Sequence, residues 1–76
     1  MKIGTVLEDG QIVLQFKYEA GWTGTLKKRW AVILCLWEGS FVIWDYDTVE
    51  EYGFRGDYDN ATLEEALKSY NVRGEE

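Results

Sequence analysis

The chain has no histidine, no proline and a single cysteine. Each absence removes a class of protein. Without an imidazole, no serine, threonine or cysteine can be activated in a Ser-His type arrangement, and the sulfur and imidazole set that zinc prefers cannot be assembled. Cys35 has no second cysteine to pair with, so no disulfide forms within the chain, a usage that fits a reducing compartment. Long apolar runs are also missing. The longest, Ala31 to Trp37, stops at Glu38, far short of the ~20 residues a spanning helix needs. The N-terminal MKIGTVLEDG interrupts the apolar stretch that a secretion signal requires. With no proline, repeat or low-complexity tract to mark a linker, the expectation is one small cytoplasmic domain over residues 1–76, with no membrane contact.

What the chain does hold is aromatic and β-branched. Four Trp, five Tyr and three Phe occur in 76 residues, and aromatic side chains are enriched where surfaces meet. From Trp30 to Tyr46 the sequence WAVILCLWEGSFVIWDY reads as a hairpin turning at Glu38-Gly39-Ser40. Side chains alternate across a strand, so Trp30, Val32, Leu34 and Leu36 share one face while Ala31, Ile33, Cys35 and Trp37 share the other. Val42, Trp44 and Tyr46 likewise alternate with Phe41, Ile43 and Asp45. Both faces are apolar, and such a sheet needs two covers.

Lys2 to Leu7 and Gln11 to Tyr18 read as a second hairpin around Glu8-Asp9-Gly10. Ala20 to Thr25 is a glycine-containing link that carries Trp22. Thr48 to Asn60 loses alternation and reads as an irregular loop, with a short edge strand near Glu51 to Arg55. Thr62, with Glu65 three residues on, fits a capping box, with Asp59 or Asn60 as alternative caps. Leu63, Ala66, Leu67 and Tyr70 then recur at helical spacing, ending at Asn71 or Gly74. The expected class is α+β: an antiparallel sheet of about four strands in two hairpins, with one C-terminal helix on one face. A single helix roofs only one face. The other is expected to be open and to bury itself in a homodimer through Trp30, Val32, Val42 and Trp44, because a chain this short rarely stabilises itself alone by more than ~3–5 kcal/mol.

Charge is divided unevenly. The net charge is −6, and all of the excess follows Trp44, where Asp45, Asp47, Glu50, Glu51, Asp57, Asp59 and four later acids face only Arg55, Lys68 and Arg73, while the residues before it are slightly basic. An acidic half of this kind repels phosphate backbones and attracts basic surfaces. Counted from Asp45 or Asp57, the acids lack the sixth-position glycine of a calcium loop, and a solvated acidic loop is the simpler reading. Cys35, between Leu34 and Leu36, reads as a buried inert thiol. Neither a cofactor nor a metal is expected. Asn60-Ala61-Thr62 matches a glycosylation sequon, but helix capping accounts for it. Lys27-Lys28-Arg29 beside Trp22 and Trp30 offers the basic and aromatic mixture of single-stranded nucleic-acid sites. Three charges before an apolar strand are more often gatekeepers against aggregation.

The stretch that interleaves rings with acids carries the functional expectation. Trp44, Tyr46, Tyr52, Phe54 and Tyr58 sit among Asp45, Asp47, Glu50, Glu51, Asp57 and Asp59, a set suited to the basic surface of a partner protein. Residues Leu36 to Tyr70, with FVIWDY, then GDYDNATLEEALKSY, resemble a pattern in small phage and prophage proteins: an FV-x-W-x-Y strand, a glycine and aromatic loop and an LEEAL helix. Some proteins of that kind inhibit bacterial immunity, of the anti-CRISPR or anti-Hachiman sort. The resemblance implies a non-enzymatic inhibitor of a host defence protein, with that role falling to Trp44, Tyr46 and the loop through Tyr58. The alternative is a small nucleic-acid-binding β domain using Lys27 to Arg29.

Overall fold

The two strands of the central hairpin, β2 (Trp30–Trp37) and β3 (Ser40–Asp47), pair without interruption from Trp30 opposite Asp47 to Trp37 opposite Ser40 in the computed structural model, which describes residues 2–73 apart from the side chain of Asp59. Glu38 and Gly39 join them with φ of 49° and 79°. Both are positive, as the type I′ turn of a tight hairpin demands. On one side lies β1 (Ile12–Tyr18) and on the other β4 (Tyr52–Asn60), giving a four-stranded antiparallel sheet in the order β1-β2-β3-β4. Helix α1 (Leu63–Val72) packs on one face, against β2, β3 and β4. The chain is therefore α+β, with four antiparallel strands and a single C-terminal helix.

The fourth strand is only in part the one expected from the sequence: the short edge strand near Glu51 to Arg55 is present but extends to Asn60, while the N-terminal strand is absent. Lys2 to Leu7 forms no strand: Thr5 Oγ1 donates to the Lys2 carbonyl at 2.6 Å, closing a turn, and only an isolated bridge joins Val6 to Ile12. Its place is taken by β4, which runs through most of the segment expected to be irregular. The register against β3 shifts twice, between Phe41 and Ile43 and between Ile43 and Asp45. Each shift is a bulge that reverses the side-chain parity of β4, which is why no two-residue period is visible there.

Side-chain parity sorts the core into two layers. Beneath α1, Val32, Leu34 and Ile43 pack with Ala66 and Tyr70, and Leu14, Phe41 and Leu67 join them. The helix begins at Thr62, whose hydroxyl accepts from the Glu65 N–H at 3.3 Å, as the capping motif implied. The expected stripe forms from Ala66, Leu67 and Tyr70, but Leu63 is exposed. Gly74, an expected stop, lies outside the described residues.

The second layer corrects the expectation of an open face. Val13, Ala31, Ile33 and Cys35 are fully buried within one chain, with Tyr46 beside them and Leu7, Phe16 and Trp44 packed against them. The N-terminal arm folds back to close that side. Gly4 N–H donates to the Val13 carbonyl at 2.6 Å, Val13 N–H to Thr5 at 2.9 Å, and Leu7 N–H to Gln11 at 2.8 Å. The four residues expected to form one self-association patch are also separated. Trp30 and Val32 lie on the helix side, Val42 and Trp44 on the other, and Val32 and Val42 are buried.

Candidate functional site

The acids and rings after Trp44 divide between the two faces and between structural and free roles. Asp45 and Asp47 are both buried, at 2% and 1% exposure, and both are neutralised locally. Asp45 pairs with Arg55, whose Nε donates at 2.6 Å. Asp47 accepts from Arg29 Nη2 at 3.0 Å and from the backbone N–H groups of Val49 and Glu50 at 2.9 and 3.1 Å. The Arg29 guanidinium, first of all, holds the Asp47 carboxyl below its usual range, and the two N–H donors add to that. Asp57 accepts from Ser69 Oγ at 2.8 Å, tying β4 to the helix. Asp45 and Asp47 are thus committed inside the fold, while Asp57 is half-buried. Asp59 lies in β4, and its side chain is outside the described residues.

Glu50 and Glu51 remain exposed in the β3–β4 turn. Across from them stand Glu8 and Asp9, at the turn that precedes β1. Between the two pairs runs a groove of about 680 Å³. Ile33, Trp44 and Tyr46 form part of its lining, and among the described residues no lysine or arginine contributes to it. Its walls come from segments distant in the chain: the N-terminal arm, which forms no strand, and the turn after β3.

Gln11 organises this site, and the sequence reading missed it. The side chain is 3% exposed. Its Oε1 accepts from Trp44 Nε1 at 2.7 Å, and its Nε2 donates to Asp9 Oδ2, also at 2.7 Å. One amide thus fixes both a ring and a carboxylate. A polar residue heading an apolar strand is the only signal that could have drawn attention to it. Trp44 is held from below as well, because Gly53 and Gly56 let the β4 backbone approach the indole, and Tyr58 meets it edge-on at 5.1 Å. Tyr46 is 8% exposed. Burial, followed by the nearby charge of Glu51 and, more weakly, Glu8, raises its phenol above the ordinary range. Cys35 lies deeper, and burial pushes its thiol up to about 12, which disfavours the reactive thiolate form.

The helix side carries a second aromatic feature. Trp22, Trp30, Phe54 and Tyr52 form a ladder with centroid separations of 6.1, 6.0 and 5.8 Å. Arg29 lies over Trp30 at 4.8 Å but is paired with Asp47. Of the basic cluster expected to serve nucleic acid, Lys27 and Lys28 are exposed, and Lys28 Nζ lies 6.0 Å from the Tyr18 ring centroid.

Among the described residues no group of three or more carboxylate or thiol side chains is close enough to hold a metal ion, and no helix is long and apolar enough to cross a membrane. No family model matches the chain, and neither a curated protein nor a solved structure matches it.

Proposed function

We propose that this chain is a non-enzymatic binding module that engages a basic surface of another protein through the groove between its N-terminal arm and the β3–β4 turn. The observation that carries this reading is the composition of the groove: Glu8, Asp9, Glu50 and Glu51 around aromatic side chains, with no lysine or arginine among the described lining residues. Rings supply contact area and carboxylates supply steering, the combination by which acidic surfaces find basic ones. Tagged protein should retain a basic partner from bacterial lysate at low ionic strength and release it as salt is raised. Retention that is indifferent to salt would count against the reading.

The narrower proposal is that the module is a phage-encoded inhibitor of a host antiviral defence protein, acting by occluding a basic site. It rests on the resemblance of residues 36–70 described above. Expression in bacteria that carry such a defence system should restore phage plating, and unchanged plating across a panel of systems would remove it.

A second reading is favoured by the ladder of Trp22, Trp30, Phe54 and Tyr52, since consecutive rings can stack unpaired bases. Lys27 and Lys28 would then supply the phosphate contacts. A gel shift with single-stranded DNA and RNA separates the two: the protein-binding reading expects none.

A further inference from the structure

We infer that the end of the helix-side face left uncovered by α1 binds single-stranded nucleic acid, with phosphate oxygens held by Arg29 and Arg55 and bases stacked on Trp22 and Tyr52. This deepens the second reading above and rests on it, since it adds to the two lysines a pair of arginines built into the sheet. It does not require the acidic groove, whose Trp44 and Tyr46 belong to the opposite layer.

Asp45 and Asp47 lie two residues apart on β3, so both side chains point to one face. Each is buried, and each holds one arginine. Arg29 donates to Asp47 from Nε and Nη2, and Arg55 uses the same two nitrogens on Asp45. The Nη1 of either guanidinium has no partner among the described residues. Each pair is neutral, but its two charges are not level. The side chains of Asp47 and Asp45 are 1% and 3% exposed, those of Arg29 and Arg55 30% and 72%, so the negative partner lies beneath and the positive one meets water. Lys27 and Lys28, exposed just before Arg29, add two further cations.

The same arginines lie over the inner rings of the ladder. Arg29 Cζ is 4.8 Å from the Trp30 centroid and Arg55 Cζ 5.9 Å from that of Phe54, and these two rings meet edge-on at 6.0 Å. The outer rings are open, with Trp22 40% and Tyr52 52% exposed. Trp22 Nε1 donates to Glu19 at 3.3 Å, which holds the indole in place. The helix stops short of this end: it packs on Val32, Leu34 and Ile43, and Arg73 after its last turn reaches the Ile43 and Arg55 carbonyls. A guanidinium held over a ring with donors to spare takes an oxyanion, phosphate above all. Open rings on either side take planar groups. Single-stranded nucleic acid carries an anionic oxygen and a planar base at every repeat, whereas an acidic peptide brings charge without the planar group and a duplex keeps its bases stacked inside.

The test titrates the full chain at low ionic strength into fluorescent oligothymidylate and oligouridylate of about ten nucleotides, a length within the range of single-strand sites, and into poly-glutamate. The oligonucleotides should bind, weaken as salt is raised, and shift the Trp22 indole N–H signal in nitrogen-15 spectra while leaving that of Trp44 in place. Arg29→Lys/Arg55→Lys keeps both charges and a partner for each buried aspartate but removes the fork, and should weaken binding about tenfold. Lys68→Gln, which takes an exposed cation from α1, should change affinity less than about twofold. Trp22→Ala, at an exposed position, should cost about fivefold or more, the scale of one lost base stack; with Arg55→Lys alone it carries the test if the double variant does not fold. Undiminished binding in the lysine variants would overturn the arginine site and leave the second reading to Lys27 and Lys28. Equal affinity for poly-glutamate would overturn the nucleic-acid ligand in favour of an acidic polypeptide. Absence of binding to either oligonucleotide would overturn the site and the second reading together.

Discussion

Gly56 shows how much a single backbone position decides. A Cβ built there would lie 2.6 Å from Cζ3 of Trp44, and the ring cannot swing aside without giving up its hydrogen bond to Gln11. Gly56→Ala should therefore destabilise the protein by about 1–3 kcal/mol, the usual cost of overpacking, with a loss of near-ultraviolet dichroism from Trp44. At Gly53 the nearest contact is 3.1 Å, so Gly53→Ala should cost less. An unchanged melting temperature for Gly56→Ala would mean that the indole is not clamped. Asp47 makes a different residue-scale case. Its carboxyl is held below the ordinary range by Arg29, so folding gains from its ionisation above about pH 4 and loses that gain as pH falls through the lowered value. Asp47→Asn should weaken the protein at neutral pH and flatten the acid limb of a urea-midpoint profile taken from about pH 6 to pH 3. An acid limb as steep as that of the unsubstituted chain would show that Asp47 is not a source of the acid sensitivity.

At the scale of elements, β4 is the strand that needs explaining. Its two bulges interrupt the ladder with β3, and an interrupted ladder leaves carbonyls to be satisfied. Arg73, just beyond the last turn of α1, supplies donors: its Nη1 reaches the Ile43 carbonyl at 3.2 Å and its Nη2 the Arg55 carbonyl at 2.6 Å. Together with Ser69 on Asp57, this fastens the helix to the irregular strand. Arg73→Ala should cost about 1–3 kcal/mol, and amide exchange should accelerate in β4 while the β2–β3 hairpin keeps its protection. Uniform acceleration across the sheet would show that Arg73 supports the whole fold rather than this seam. The bulges also explain why only the start of β4, near Glu51 to Arg55, was legible and not its run to Asn60. Its rings and glycines obey no two-residue period, since successive bulges change which face each residue meets. By contrast, β2 and β3 were readable as a continuous apolar run rich in β-branched and aromatic residues around one turn, and α1 by its 3.6-residue spacing.

At the scale of the molecule, the decisive event is the return of the N-terminal arm. It buries the face on which a dimer had been expected, so Val13, Ala31, Ile33 and Cys35 find their cover within one chain. Light scattering after size exclusion at micromolar concentration should give the mass of a monomer. A dimeric mass would direct attention to the exposed rings Trp22 and Tyr52 on the helix side and to the groove beside the N-terminal arm. The same return of the arm brings Glu8 and Asp9 across from Glu50 and Glu51. Half of the candidate site was legible as the acidic and aromatic stretch after Trp44. The other half was hidden in an arm that looked like a strand, and three of the expected acids proved to be tied to Arg29, Arg55 and Ser69.

Composition and periodicity alone determined the α+β class, the central hairpin with its two apolar faces, the Thr62 cap and the direction of the charge excess, since these depend on residues adjacent in the chain. Only the tertiary structure decided which carboxylates are neutralised, which face is closed and where the free acids meet. Those outcomes depend on pairs such as Gln11 with Trp44 and Arg29 with Asp47. Their geometry exists only after the sheet has twisted and the arm has folded back, and no local pattern encodes it.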